Sequence, residues 1–170
     1  ADAMRQVGLD PSSIGASRRD PKDIKAYVEL HIEQGPILES MGAPIGVVQG
    51  IVAGSRTWIT FHGRADHAGT TPMTMRQDAF LGAAEFGLRV RELVLMEGSG
   101  TSVGTVGAME LKPGGSNIVP DTAFLTVDLR DITGEVLQRL LQRVDILAHE
   151  IAAKWGLTVT VNRMRLSEPA

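Results

Sequence analysis

At 170 residues, 43% of them apolar and 22% charged, the chain is the size of one ordinary globular domain or slightly more. The absence of cysteine excludes thiolate zinc sites, iron–sulfur clusters, thiol nucleophiles and disulfides within these residues. A net charge of −3 with 4% aromatic residues argues against a phosphate-tracking or base-stacking surface, so no nucleic-acid partner is expected. Apolar stretches are broken by charge or glycine well before about 18 residues, and no basic-then-apolar leader opens the chain. No membrane partner is expected either, and a cytoplasmic location is the default. Ala1, Asp2 and Ala3, in place of an initiator methionine, read as a chain entered partway through a longer protein.

In chain order, residues 3–7 read as the tail of a helix stopped by Gly8, followed by a solvated, charged loop from Arg18 to Lys25. Residues 26–32 alternate and predict a strand with Tyr27, Glu29 and His31 on one face. A short helical turn, Ile37 to Met41, is ended by Gly42, and Pro44 to Ile51 reads as another extended run. Gly50 and Gly54 bracket a hinge. From Ser55 the pattern becomes regular, with strand 56–63, helix 73–96, strand 102–111, strand 122–130, helix 134–155 and strand 157–165.

The first of these helices carries a capping-box pattern, Thr74 to Gln77, and an apolar face through Phe80, Ala83, Ala84, Gly87, Val90 and Val94. The second has a continuous stripe from Leu137 to Trp155, with Gly156 as its stop. In strand 122–130, Ala123, Leu125, Val127 and Leu129 face the helices and Phe124, Thr126, Asp128 and Arg130 face away. The fold class is therefore α+β. The order β-α-β-β-α-β predicts a ferredoxin-like, four-stranded antiparallel sheet with both helices on one face. Its open face must meet water, a ligand or another chain.

Three clusters carry candidate chemistry. His67-Ala-Gly-Thr-Thr-Pro-Met73 places a histidine and two hydroxyls between a strand and a helix N-terminus, a setting suited to stabilising a carbonyl oxyanion; it reads equally well as a capped surface loop. Gly114 to Pro120 leads into the strand that ends Asp128-Leu-Arg130. Asn117 and Arg130 would reach one rim and hold a carboxylate, unless Asp128 and Arg130 simply pair, which their spacing favours. Glu29, His31 and Glu33 alternate on the third segment. A lone histidine is not a catalytic zinc site, which takes about three protein ligands, and a deaminase would need cysteines that the chain lacks. His62 and His149 read as structural or solvated.

Taken together, HIEQGP at 31–36, GRADHAGTTPM at 63–73, GGSNIVP at 114–120 and VDLRD at 127–131 resemble the N-carbamoyl-L-amino acid hydrolases, allantoate amidohydrolases and β-alanine synthases of the two-metal aminoacylase and carboxypeptidase clan. The resemblance runs over nearly the whole chain. It implies that His31 is a ligand of a zinc, manganese or cobalt pair and that Gln34 contacts substrate. It further implies that His67 binds the scissile ureido carbonyl, often in the partner subunit's site, and that Asn117 and Arg130 hold the substrate carboxylate.

By the same resemblance the molecule is a homodimer through its lid, acting on a small carbamoyl amino acid or allantoate. Residues 1–53 would be the end of the first part of an α/β catalytic domain with its hinge, 54–166 the lid, and 167–170 the start of the return. Asp66 and Asp121 depart from the residues the family commonly has, Asn and Gly. The family's other metal ligands and its catalytic glutamate match nothing in this chain, so the chain alone is expected to hold no metal stably and to lack hydrolysis. The reading from another class is a stand-alone ferredoxin-like ligand-sensing or assembly module.

Overall fold

Alternating apolar and polar residues give a strand one dry and one wet face, and four long strands of this chain realise that pattern. The computed structural model describes residues 1–164. It divides into two compact units, Ala1–Val47 and the residues from Val48 onward.

The first unit contains two five-residue helices, α1 (Asp2–Gln6) and α2 (Ile37–Met41). Between them are 3-10 turns at Pro11–Ser17 and Pro21–Asp23, each opened by an aspartate, Asp10 or Asp20, whose side chain accepts an amide two residues on. Gly42 closes α2 in the left-handed conformation, φ 64°. The strands expected at 26–32 and 44–51 are absent. Neither run is assigned to a strand, and most of their side chains are exposed, Leu30 at 95% among them. Alternation marks a strand only where a neighbour completes the hydrogen-bond ladder, and neither run belongs to a sheet among the described residues.

In the second unit β1 (Ala53–His62), β3 (Val103–Lys112), β5 (Thr122–Asp131) and β6 (Thr158–Arg163) form one sheet in the order β3-β5-β1-β6, each neighbouring pair antiparallel. With α3 (Ala79–Glu97) and α4 (Gly134–Lys154) this is the expected β-α-β-β-α-β plan. Ile59 and Phe61 of β1 and Ala123, Leu125, Val127 and Leu129 of β5 are fully buried in the core with both helices. Each large side chain so buried contributes about 1.5–3 kcal/mol. The opposite face carries Arg56, Trp58, Thr60, Phe124, Thr126, Asp128 and Arg130, half-buried or exposed.

The stripe of α4 is buried as expected, from Leu137 to Ile151. Its end is a Schellman-type closure: Gly156, at φ 65°, donates to Ala153 O, and Leu157 donates to Ala152 O. The start of α3 differs from expectation. A 3-10 turn covers Met73–Met75, and the helix begins only at Ala79, where Asp78 Oδ1 accepts from Phe80 N at 3.0 Å. Gln77 does not close a capping box; its side chain donates to Gly156 O. The buried face of α3 is set accordingly by Ala79, Gly82, Ala83, Phe86, Val90, Leu93 and Val94, while Phe80 is exposed and Ala84 and Gly87 are half-buried. Apolar residues surround this helix, so its period alone does not select the inner face. Arg165, the last residue of the expected final strand, lies outside the described residues.

Two anchors fix the ends of the sheet. Asp131, fully buried, accepts from Ser99 Oγ at 2.7 Å, from Ser102 Oγ and from Thr133 N at 2.6 Å, tying the α3–β3 and β5–α4 connections together. Burial alone would raise its pKa, but these hydrogen bonds outweigh it and hold the carboxyl below the usual range. At the other end, Gly63 N donates to Asp121 O at 2.6 Å and Arg64 N to Gln77 O at 2.9 Å. A Cβ on Gly63 would lie 2.0 Å from Gln77 O, so only glycine fits.

Because the pKa of Asp131 is depressed, its stabilising contribution is complete above the ordinary carboxylate pKa and is lost as pH falls through its lower folded value. Asp131→Asn should therefore cost about 1–3 kcal/mol at pH 7, and the difference from wild type should shrink in acid. Urea melts across pH 2–7 measure this; a pH-independent difference would refute it. Gly63→Ala should destabilise by about 1–3 kcal/mol, and an unchanged thermal midpoint would show that the clash is relieved without cost.

Candidate functional site

The segment after β1 is too short to show a period, yet its backbone is paired and hydrogen-bonded. Asp66–His67 forms a two-residue strand, β2, paired antiparallel with β4 (Ile118–Val119), so that Asp66 faces Val119 and His67 faces Ile118. Ala68 N donates to Asn117 O at 2.9 Å. The structure thus brings His67 and Asn117 together, through a ribbon that sequence reasoning missed because two residues carry no alternation. Arg76 braces the loop from below, its guanidinium donating to Thr71 O at 3.0 Å and Ala68 O at 2.7 Å. No α-helix N-terminus lies at this loop: the 3-10 turn intervenes, and the amide of Ala79 is taken by Pro120 O. Contrary to expectation, therefore, no helix dipole is available to an oxyanion here.

His67 itself is exposed, and its ring orientation is specified. Gly69 N donates to His67 Nδ1 at 3.0 Å. A backbone amide can only donate, so Nδ1 is the acceptor and in the neutral ring the proton sits on Nε2. The ring therefore offers an N–H donor outward. A Cβ at Gly69 would lie 3.1 Å from His67 Cε1, so the glycine lets the ring fold over its own turn. Asp66 is neutralised by Arg64 at 2.9 Å, and Arg64 also donates to Met75 O at 3.0 Å. Asp121 accepts from Thr122 Oγ1 at 2.7 Å and closes the start of β5 through its backbone. Both departures from the family pattern are thus absorbed locally.

Arg130 does not share that rim. Asn117 precedes β4 at the Thr122 end of β5, whereas Arg130 stands opposite Gly54 and Val103 at the other end. From Thr122 to Arg130 the strand covers on the order of 26 Å, at about 3.3 Å per residue. Thirteen positions of separation do not bring the two side chains together because most of them are spent running straight along β5. As the spacing favoured, Arg130 pairs with Asp128, Nε to Oδ1 at 2.7 Å and an amine to Oδ2 at 3.4 Å. That carboxylate raises the Arg130 pKa. Arg56, which the sequence reading passed over, is the cross-strand neighbour of Asp128 on the same face; strand alternation is the signal that could have found it.

In the first unit Glu29, His31 and Glu33 do not act together. Tyr27 Oη donates to Glu29 at 2.7 Å, His31 Nδ1 turns to the adjacent Ile32 carbonyl, and the Glu33 carboxylate accepts from Ile37 N and Leu38 N at 3.0 and 2.9 Å. Gln34 has φ 58°, an uncommon conformation for a residue with a Cβ. Among the described residues no group of three or more His, Cys, Asp or Glu side chains can hold a metal ion. His31 supplies at most one ligand of the divalent pair that the resemblance implies, and no cluster among the described residues completes the set. His62 bonds to Thr160 Oγ1 at 3.1 Å and His149 to Asp145 O at 2.8 Å; both are exposed. No helix among the described residues is long and apolar enough to cross a membrane.

Comparison with known proteins gives concordant results. The chain is 40% identical over 169 residues to an N-carbamoyl-L-amino acid amidohydrolase of Geobacillus stearothermophilus, covering 99% of this chain and 41% of that protein. It is 33% identical to an allantoate deiminase of Arabidopsis thaliana, covering 95% of this chain and 34% of that protein. The crystal structure of an amidase of the hydantoinase/carbamoylase family from Burkholderia multivorans superposes with a TM-score of 0.79 at 36% identity, over 82% of this chain and 34% of that one. The chain thus spans about two fifths, or less, of the length of these relatives. The M20-type peptidase dimerisation domain matches residues 54–156, from the start of β1 to just past α4, and the chain belongs to that family.

Proposed function

We propose that the chain is the dimerisation and substrate-binding lid of a metal-dependent amidohydrolase that cleaves the ureido C–N bond of N-carbamoyl-L-amino acids or of allantoate. The observation that carries this reading is the separation of the candidate residues into two groups, His67 with Asn117 at one end of β5 and Arg130 at the other. A small carbamoyl amino acid cannot bridge about 26 Å of strand. One substrate can meet both groups only if they come from two copies of the chain, and a dimerisation domain is the family to which these residues belong.

The surface supports assembly. β3 is an edge strand of ten residues with no strand on its outer side among the described residues, and most of it is exposed. Leu88, Leu95 and Met96 project from neighbouring α3 at 71%, 67% and 82% exposure. An unprotected edge beside exposed apolar side chains is a template for a second chain.

In this reading His67 donates its Nε2–H to the ureido carbonyl and steadies the negative charge that grows there when the carbon is attacked. Asn117 adds an amide donor beside it, and Arg130 receives the substrate carboxylate in the other subunit. Gln34, held in its unusual backbone conformation, contacts substrate. His31 is one ligand of a zinc, manganese or cobalt pair whose remaining ligands lie outside this chain, and such a pair would supply the activated water.

Size-exclusion chromatography with light scattering should give twice the 18.2 kDa chain mass across a tenfold concentration range; a monomer throughout would remove the basis for the shared site. Metal-supplemented chain should release no ammonia from N-carbamoyl-L-alanine, and release above blank would overturn its assignment as a lid. In the enzyme that contains these residues, His67→Ala and Arg130→Ala homodimers should each be inactive. Random exchange of their subunits should restore about a quarter of wild-type activity, since half the dimers then carry one intact site. No recovery would place both residues in one subunit's site.

A further inference from the structure

At the Gly54 end of the open sheet face lies an open hollow of about 340 Å³, bordered by Val52, Gly54, Arg56, Asp128, Arg130 and Met164. Within it Arg130 is already committed: Asp128 holds it through two contacts and cancels its charge. A carboxylate approaching Arg130 alone would meet a neutral pair whose anion repels it. Arg56 changes that balance. It is exposed on the same face, directly across from Asp128 in the β1–β5 register, while Arg130 stands across from Gly54. The two arginines are thus diagonal neighbours, about 7–8 Å apart at the backbone and within reach of each other's guanidinium groups. Among the described residues the Arg56 guanidinium has no ion pair or hydrogen bond, so two guanidinium groups and one carboxylate leave the hollow with one net positive charge.

We propose that Arg56 is a second carboxylate-binding residue, forming with Arg130 a two-guanidinium clamp in which Asp128 orients Arg130 and Arg56 supplies the uncompensated charge. The clamp rests on the reading of Arg130 as the residue that takes the substrate carboxylate. Its ligand class is a small carboxylate bearing a ureido group. Arg56 is exposed and lies outside the hydrophobic core, so its replacement leaves the core intact.

The test is a titration of the ¹⁵N-labelled chain with N-carbamoyl-L-alanine, following the arginine Nε–Hε resonances, with N-carbamoyl-L-alaninamide as the probe that lacks the carboxylate. Both Arg56 and Arg130 should shift with one shared Kd, the amide should shift neither, and Arg56→Gln should weaken binding about three- to tenfold, the size of one partly exposed charge-assisted contact. A Kd at Arg130 that is unchanged in Arg56→Gln overturns the role of Arg56 while leaving Arg130 in place. Equal shifts with the amide overturn the clamp as a carboxylate site. If neither arginine responds, the carboxylate reading of Arg130 fails, and Arg56 with it.

Discussion

The ladder between β1 and β5 is the constraint on which the rest of the domain depends. It pairs every residue from Ala53 with Asp131 to His62 with Thr122, without a bulge. That register places Ile59 and Phe61 of β1 in one layer with Leu125, Val127 and Leu129 of β5 on the helix side, and it sets each polar residue of the open face opposite a defined partner. A shift of one residue would turn the whole set over, exposing the core positions and burying Arg56, Asp128 and Arg130. The burial of apolar surface under α3 and α4 therefore specifies the geometry of the polar face as strongly as any contact within it.

The two ends of that ladder are anchored by different physics. At the Asp131 end a buried carboxylate gathers hydroxyl and amide donors from two connections, and its hydrogen bonds outweigh the cost of burial. At the Gly63 end the anchor is steric, since the backbones of Gly63 and Gln77 pass too closely for any side chain. This second anchor carries the loop that presents His67. The short β2–β4 ribbon and the Arg76 brace then hold that loop against Asn117 without a helix behind it. The two groups also differ in character: a ring whose Nδ1 is fixed as an acceptor at His67, and a cluster of two cations about one anion at Arg130.

The separation of these groups gives the fold its functional logic. A sheet with both helices on one face leaves the other open, and a strand of ten residues is long enough to keep two polar groups from serving the same small molecule. In the proposed dimer, assembly through an edge strand would turn that distance from an obstacle into a means of joining groups from two chains.

The sequence by itself determined the β-α-β-β-α-β order, the buried stripe of α4, the two faces of β5 and the pairing of Asp128 with Arg130. In each case the information is local: a period of two or of 3.6 residues, a glycine stop, or two residues apart on one strand face. His67 and Asn117 were also legible as members of turn-rich, motif-bearing loops. Only the tertiary structure decided which residues meet. It joined His67 to Asn117 through two-residue strands too short to have a period, moved Arg130 to the far end of β5, and brought Arg56 beside Asp128 across a strand pair. It also left residues 26–32 unpaired, although their alternation matches that of a strand. Alternation states which side chains share a face; pairing, register and distance along a strand depend on neighbours far away in sequence, and no local pattern encodes them.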